Sequence, residues 1–523
     1  MKTTISLDLK TTVEPDKWAK KPHSVQQYFR HLPCGTKLPD SIHAVSVSMP
    51  TLRDIIGYEE KYPETLSKIV TGYPRFVTHP YILKIQECLN KKFALNARQI
   101  LILSSGKVAK ALCSFAKIDP DKVIEYKNIA GVVLPEDKTK IEKAQAFLQH
   151  TGTGISSRWA EDILMEEGIL QDIQAEEYFL GDAENHILNT LKDSYGAASQ
   201  DDIYLTSSGM NSIYSVYNSI SSIQSRKKKS IWIQLGWMFV DTMDLLKKLE
   251  SSETDNYVTY DIYNLEKLEL ILNDKGEHIS AIITEVPSNP LVQTPDIKRI
   301  KYLADKHNCI FVIDATLGTP HNVNVLPYAD LIVESLTKYA SGSADLMMGA
   351  VVLNCQSRFY EELRAVLPNF LERPYFREIR RLAFQITGYA ERIKKVNENT
   401  MKLVDFLQTC KCVEKIFWAY EEKSRVNFEK IQKNPDSPGG VITVELNRSL
   451  ESVYDHLKIA KGPSCGAEFT LVGPYLYLAH YNLVSHQEGR KFLNEREINP
   501  ELLRISVGTE KIEDIIQVFS EVL

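Results

Sequence analysis

Five short apolar runs between residues 230 and 354, "SIWIQL", "ISAIITEV", "CIFVIDA", "ADLIVESL" and "GAVVLN", constrain this chain more than any other feature. They are rich in β-branched residues and do not alternate with polar ones, so both faces of each strand need cover. Strands of that kind belong to a mainly parallel sheet with helices on its two faces. Between two of the runs, "TPDIKRIKYLADKHN", residues 294–308, spaces its apolar residues at helical intervals and gathers basic residues towards its end, as a crossover helix does. The expected class is α/β, a mostly parallel sheet covered by helices.

A chain of 523 residues exceeds what one core supports, so two or three domains are expected. After residue 354 the sequence becomes a long, charged, helix-favouring stretch that ends in strand-like pieces such as "GVITVEL". This predicts a smaller C-terminal α+β domain over 361–523, joined by a long helix at a boundary near 360. The α/β domain then occupies 151–360, and 1–150 is an N-terminal extension without a clean rhythm. Segments starting at Tyr73 and Tyr178 share an order of aromatic residue, amphipathic helix, apolar strand, "SSG" and helix. That order fits either two partial copies of one unit or the chance likeness of generic βα units.

With 62 basic and 68 acidic side chains, the formal charge of -6 gives no electrostatic case for nucleic acid or an anionic membrane. The start, "MKTTISLDLKTTVEPDKW", carries no apolar run after its basic residue, and no stretch approaches the roughly 18 residues of a spanning helix. A cytoplasmic protein is expected. Eight cysteines without C-x-x-C pairs suggest reduced thiols and no metal site. Cys410 and Cys412, two apart, are expected on one face of a strand.

Three features carry chemistry. In "YLTSSGMNSIY" an apolar run ends at "SSG" and a helical pattern begins at Met210, so free amides and a glycine at a helix start make a seat for a phosphate. Asp314 ends the strand of "VIDATLGTP", where ligands gather in open α/β sheets. In "ESLTKY", Ser335 and Thr337 stand at alternate positions beside Lys338, so two hydroxyls and an amine can face one anion. Each alone has a plainer reading: an empty turn, a capping aspartate, a solvated lysine. Together they match what pyridoxal 5'-phosphate requires, namely phosphate donors, a carboxylate for the pyridine nitrogen and a lysine for the Schiff base.

From about residue 175 to the C-terminus the chain resembles the Cys/Met-metabolism family of pyridoxal-phosphate enzymes through "SSGM", "TEVPSNP", "VIDATLGTP", "ADLIVESLTKYASGSAD", "MMGAVV" and "LLRISVGTEKIEDII". The stretches "HAVSVSMPTLRDIIGYEE", "GYPRFVTHP", "QHTGTGISSRWAE" and "KGPSCGAEFTLVGPYLYLAHYN" are similar to the fungal-type cystathionine γ-synthases, which carry a long N-terminal extension. The resemblance implies the PLP-dependent transferase fold, aspartate-aminotransferase-like, with the cofactor's Schiff base on Lys338. It implies that Asp314 pairs with the pyridine nitrogen, that Gly209, Met210, Ser335 and Thr337 hold the phosphate, and that Asn289, Ser464 and Arg504 bind the substrate. Three departures stand out. The ring-stacking position, usually tyrosine, is Phe239, so a phenol is missing there. The Tyr-x-Arg expected near Tyr178 reads "YFL", and Tyr73 with Arg75 in "YPRF" is the candidate replacement from the extension. Ser343 stands where histidine is common.

The resemblance implies a cystathionine γ-synthase-like γ-replacement, an O-acylhomoserine condensing with cysteine to give cystathionine, in a homodimer or homotetramer. A γ- or β-lyase of sulfur amino acids, or a catalytically altered binding relative, are the alternatives.

Overall fold

The computed structural model describes residues 25–73, 76–95, 99–248 and 256–523. In the extension, β1 (Lys37–Leu38) and β2 (Ser46–Val47) form an antiparallel pair. A second, three-stranded antiparallel sheet follows, built from β3 (Ile100–Leu103), β4 (Val123–Tyr126) and β5 (Ile129–Val133) in the order β3-β5-β4. Its alternation is clean. Leu101 and Leu103 face the helices Gly106–Ala116 and Lys138–Thr151, whereas Ile100 and Ile102 face the helices Pro80–Lys92 and Ser157–Glu166.

The large sheet comprises β6 (Ile203–Thr206), β7 (Ile231–Leu235), β8 (Tyr257–Thr259), β9 (Ile279–Glu285), β10 (Ile310–Asp314), β11 (Leu331–Ser335) and β12 (Gly349–Leu353), in the order β6-β12-β11-β10-β9-β7-β8. From β8 to β11 neighbouring strands are parallel, while β12 is antiparallel to β11 and β6. The expectation of two covered faces holds: Ile310 and Val312 enter one core while Phe311 and Ile313 enter the other. "GAVVLN" is reversed because residues 336–348 contain no helix, and a parallel return needs a helical crossover.

In the C-terminal part, β13 (Val413–Phe417), β14 (Val441–Leu446), β15 (Ala460–Lys461), β16 (Leu471–Pro474) and β17 (Leu503–Ser506) form a sheet ordered β13-β14-β17-β16-β15. The long helical stretch expected before it is three helices, Tyr360–Val366, Phe376–Ile386 and Tyr389–Leu407. Breaks fall at Pro368, Pro374 and Gly388, as missing N–H donors and backbone freedom dictate. The first two pack on helices Gly209–Gln224 and Ala183–Tyr195, so the α/β body continues past residue 360. Cys410 and Cys412 do not share a strand: the helix ends at Leu407 and β13 starts at Val413, leaving both in the connecting turn.

The two "SSG" units share local geometry. Ser105 and Ser208 each cap the helix that follows, accepting from Val108 and Asn211 N–H. Their strands lie in different sheets, one all antiparallel and one mainly parallel.

The extension runs past the expected boundary at 150, through helix Ser157–Glu166, which packs on helix Pro80–Lys92 and on Ile100 and Ile102, and it is fastened to both larger parts. Ser208 Oγ donates to the carbonyl of Gly152 at 3.1 Å, Val45 N–H to that of Ala344 at 2.9 Å, and Met49 N–H to that of Lys461 at 3.0 Å. Lys461 is buried and donates to the Pro50 carbonyl at 2.8 Å. The strongest tie is ionic. Fully buried Arg158 reaches Glu176 at 2.5 and 2.8 Å, Glu378 at 2.9 Å and the Asp345 carbonyl at 2.9 Å. Arg377 adds contacts to Asp162 and Glu161. Removing one partner of such a cluster strands buried charge, so Arg158→Met is expected to lower the unfolding free energy by roughly 3–5 kcal/mol. Urea unfolding of the two proteins measures the difference.

Candidate active site

Glu285, Asp314 and Ser335 are the last residues of β9, β10 and β11, so three parallel strands deliver polar groups to one edge of the sheet. A cleft of about 460 Å³ opens there. Its wall from the C-terminal part includes Pro463, Cys465, Tyr475 and Arg504, and its wall from the extension includes Met49, Tyr73 and Val77.

Lys338 follows β11 at the turn and points its amine into the cleft. Nζ donates to the Tyr73 hydroxyl and, at 3.2 Å, to Ser464 Oγ, while the two hydroxyls lie 3.2 Å apart. One residue further, Arg504 on β17 donates to the Ser464 carbonyl at 2.9 Å, the Pro463 carbonyl at 3.3 Å and Asn289 Oδ1 at 3.2 Å. Its guanidinium lies 4.7 Å from the centre of the Tyr475 ring, and Tyr475 Oη accepts from Asn289 Nδ2 at 3.0 Å. Ser464 thus touches the lysine through its side chain and the arginine through its carbonyl.

The opposite end of the cleft is the start of helix Gly209–Gln224, where Ser208, Gly209 and Met210 line the wall. A β-carbon on Gly209 would fall 2.7 Å from Ser335 Cβ, so the close approach of helix and strand needs glycine. Thr337 lines the cleft but also serves the turn, donating to the Met348 carbonyl at 3.3 Å and accepting its N–H at 3.1 Å. Phe239 lines the cleft, its N–H donating to Glu285 Oε1 at 2.5 Å. Tyr73 comes from the same chain as Lys338, and Arg75 lies outside the described residues.

Acids cluster beneath. Asp314 Oδ1 accepts from Thr316 N–H at 2.9 Å, and burial holds its carboxyl above the usual range against that hydrogen bond. Burial, and then the Asp314 charge, hold Glu285 well above the usual range; the two are register partners on adjacent parallel strands. Burial likewise pushes Glu334 up to about 7, although Tyr195 and Tyr389 donate to it at 2.6 and 2.8 Å. Sequence reasoning missed Glu285, Glu334 and Tyr475. The signal for the two acids was the one used for Asp314, a carboxylate closing an apolar strand run; Tyr475 gave none.

Among the described residues no group of three His, Cys, Asp or Glu is placed to hold a metal, and no helix is long and apolar enough to cross a membrane.

Residues 174–523 match the family described as Cys/Met metabolism PLP-dependent enzymes, and the chain belongs to it. Among curated proteins it is 40% identical to the L-2-amino-4-chloropent-4-enoate dechlorinase/desaturase of Streptantibioticus cattleyicolor, over 92% of this chain and 97% of that one. It is 28% identical to the cystathionine γ-synthase of Neurospora crassa, over 94% and 97%. Among solved structures, cystathionine γ-synthase from Xanthomonas oryzae pv. oryzae in complex with cystathionine superposes with a TM-score of 0.56 at 20% identity, covering 67% of this chain and 89% of that one. The expected PLP-dependent fold is therefore the observed one, and the family's cofactor is pyridoxal phosphate.

The residues present fit that group. A glycine-opened helix start suits a phosphate, and an amine stands in the cleft for an aldehyde. Asp314, raised by burial, is an acid that a protonated ring nitrogen would return to its charged form.

Glu334 makes the pH dependence of folding testable. Its folded pKa, about 7, lies above the ordinary 4.5, so its stabilising contribution is complete below pH 4.5 and is lost as pH rises through 7. Between pH 5 and 8 the native protein is expected to lose on the order of 1–3 kcal/mol more stability than Glu334→Gln. Denaturant titrations at both pH values give the comparison.

Proposed function

We propose that this protein removes a leaving group from the γ-carbon of an L-α-amino acid. The observation that carries this is the double role of Ser464, which sets the Lys338 amine beside the seat of the Arg504 guanidinium. An α-carboxylate gripped by that guanidinium brings its own α-carbon to the amine, and a planar fork suits a carboxylate better than a lysine would.

When bound, pyridoxal phosphate supplies an aldehyde that captures the amino group and a ring that withdraws charge from the α- and β-carbons. Lys338 would hold that aldehyde, Asp314 the ring nitrogen, Phe239 the ring face, and Gly209, Met210, Ser335 and Thr337 the phosphate. Asn289 fixes the Arg504 fork by accepting from it while donating to Tyr475. Lys338 then removes the α-proton at Nζ. The walls from the extension keep water from the reacting carbons.

Likeness to the dechlorinase/desaturase, at 40% identity along nearly the whole chain, favours elimination with net loss of H and the γ-substituent X. One more unsaturation results, which accounts for both halves of that relative's name. Replacement of X by the thiol of cysteine, giving cystathionine from an O-acylhomoserine, is the second reading; likeness to the Neurospora crassa synthase favours it.

Incubation with L-2-amino-4-chloropent-4-enoate and with O-acetyl-, O-succinyl- and O-phosphohomoserine, each with and without cysteine, separates the two. Elimination predicts release of X independent of cysteine, and replacement predicts a thioether that consumes it. Release of X from none of the four would overturn both. Arg504→Ala is expected to raise KM for the working substrate by one to three decades, for a loss of about 1.5–4 kcal/mol; an unchanged KM would remove Arg504 from the carboxylate seat.

A further inference from the structure

Elimination at the γ-carbon sets one amine a double task. Lys338 takes the α-proton and becomes an ammonium, and it must discharge that proton before it can take another from the β-carbon. The cleft therefore needs a group in contact with Nζ that accepts a proton and passes one on. Asn289 and Arg504 cannot serve: an amide and a guanidinium do not exchange protons in the working range. Phe239 has no hydroxyl. Asp314, Glu285 and Glu334 are acids of the sheet edge, and none is in hydrogen-bond contact with Lys338.

Tyr73 meets the requirement by position. It comes from the extension, lines the cleft, and its hydroxyl is bonded both to Lys338 Nζ and to Ser464 Oγ at 3.2 Å. Nζ lies 4.6 Å from the centre of the Tyr73 ring, out beyond its hydroxyl, so the phenol meets the amine through its oxygen. The second hydroxyl, Ser464, lies 3.2 Å from both the amine and the phenol and gives the phenol a partner to pass its proton to.

Resting on the proposed γ-chemistry, we infer that Tyr73 is a catalytic residue, the phenol through which Lys338 discharges its proton between its two tasks. In that step an N–H bond of the Lys338 ammonium breaks as a new O–H bond forms on Tyr73. The original Tyr73 O–H bond breaks at the same time, and its proton passes by Ser464 to the departing X or to its accompanying water. Amine and phenol end neutral; Lys338 then takes the β-proton and, once X has left, returns it to a carbon of the product, so the net loss is H and X. The extension is on this reading a working part of the active site.

Tyr73→Phe keeps the ring and removes only the hydroxyl, and three readouts on cofactor-loaded and cofactor-free protein test it. In D2O, exchange of the substrate α-hydrogen should slow less than tenfold, while release of X should fall by 10²–10⁴, the span of positioned proton transfer. In the cofactor-free protein, the rate of acylation of Lys338 at one fixed pH, followed by mass spectrometry of the peptide that carries it, should rise, because the amine loses the hydroxyl that it is bonded to. Cofactor dissociation should change less than threefold. Equal slowing of exchange and release, or an unchanged rate of Lys338 acylation, would overturn the relay. A large loss of cofactor affinity with normal turnover at saturating cofactor would overturn it too, assigning Tyr73 to cofactor binding. If the native enzyme releases X from no substrate, the γ-reading fails, while α-exchange and the rate of Lys338 acylation still decide the contact at Tyr73.

Discussion

Gly466 meets the turn of Lys338 backbone to backbone, and the site depends on that contact. Its φ is +75°, and a β-carbon there would lie 2.9 Å from Lys338 Cβ and 2.9 Å from Tyr339 N. Both the conformation and the space call for glycine. Because the loop can press so closely, Ser464, two residues earlier, spans the gap between Lys338 and Arg504. Any side chain at 466 would wedge the C-terminal loop off the lysine turn, separating the Lys338 amine from the Arg504 guanidinium.

The acids below the cleft are the other half of the design. Parallel strands end together, so three carboxylates gather near the cleft: Glu285 and Asp314, the last residues of β9 and β10, and Glu334, one before the end of β11. Burial raises all three, and the Asp314 charge raises Glu285 and Glu334 further. Such a floor favours a cationic ligand above it, as the ring nitrogen of the family's cofactor is when protonated. It also disfavours a vacant site, since the charge on Asp314 is better offset when a cation is present.

The extension closes the cleft because other contacts hold it down. Arg158 with Glu378 and Arg377 with Glu161 link it to helix Phe376–Ile386 through buried carboxylates, Lys461 binds the Pro50 carbonyl, and Ser208 binds Gly152. Those anchors lie on both larger parts of the molecule, which is why Tyr73 arrives at Lys338 although the two are 265 positions apart in sequence.

Much of this was legible beforehand, for reasons that differ residue by residue. Strand runs apolar on both faces announce a covered sheet, and a hydroxyl-flanked lysine after one of them marks the edge where the cleft opens, because local order and side-chain chemistry survive in one dimension. The reversal of β12, the three-way break of the helix before β13 and the turn at Cys410 were not legible in the same way, since each is settled by what the chain packs against. Alone, the sequence determined the strand and helix types and the chemical inventory of Lys338, Asp314, Asn289 and Arg504, because period and residue type are local properties. Tertiary structure decided which hydroxyl reaches the lysine, which carbonyl orients the arginine and which acids share the floor, because distance in space between remote positions follows only from how the layers close.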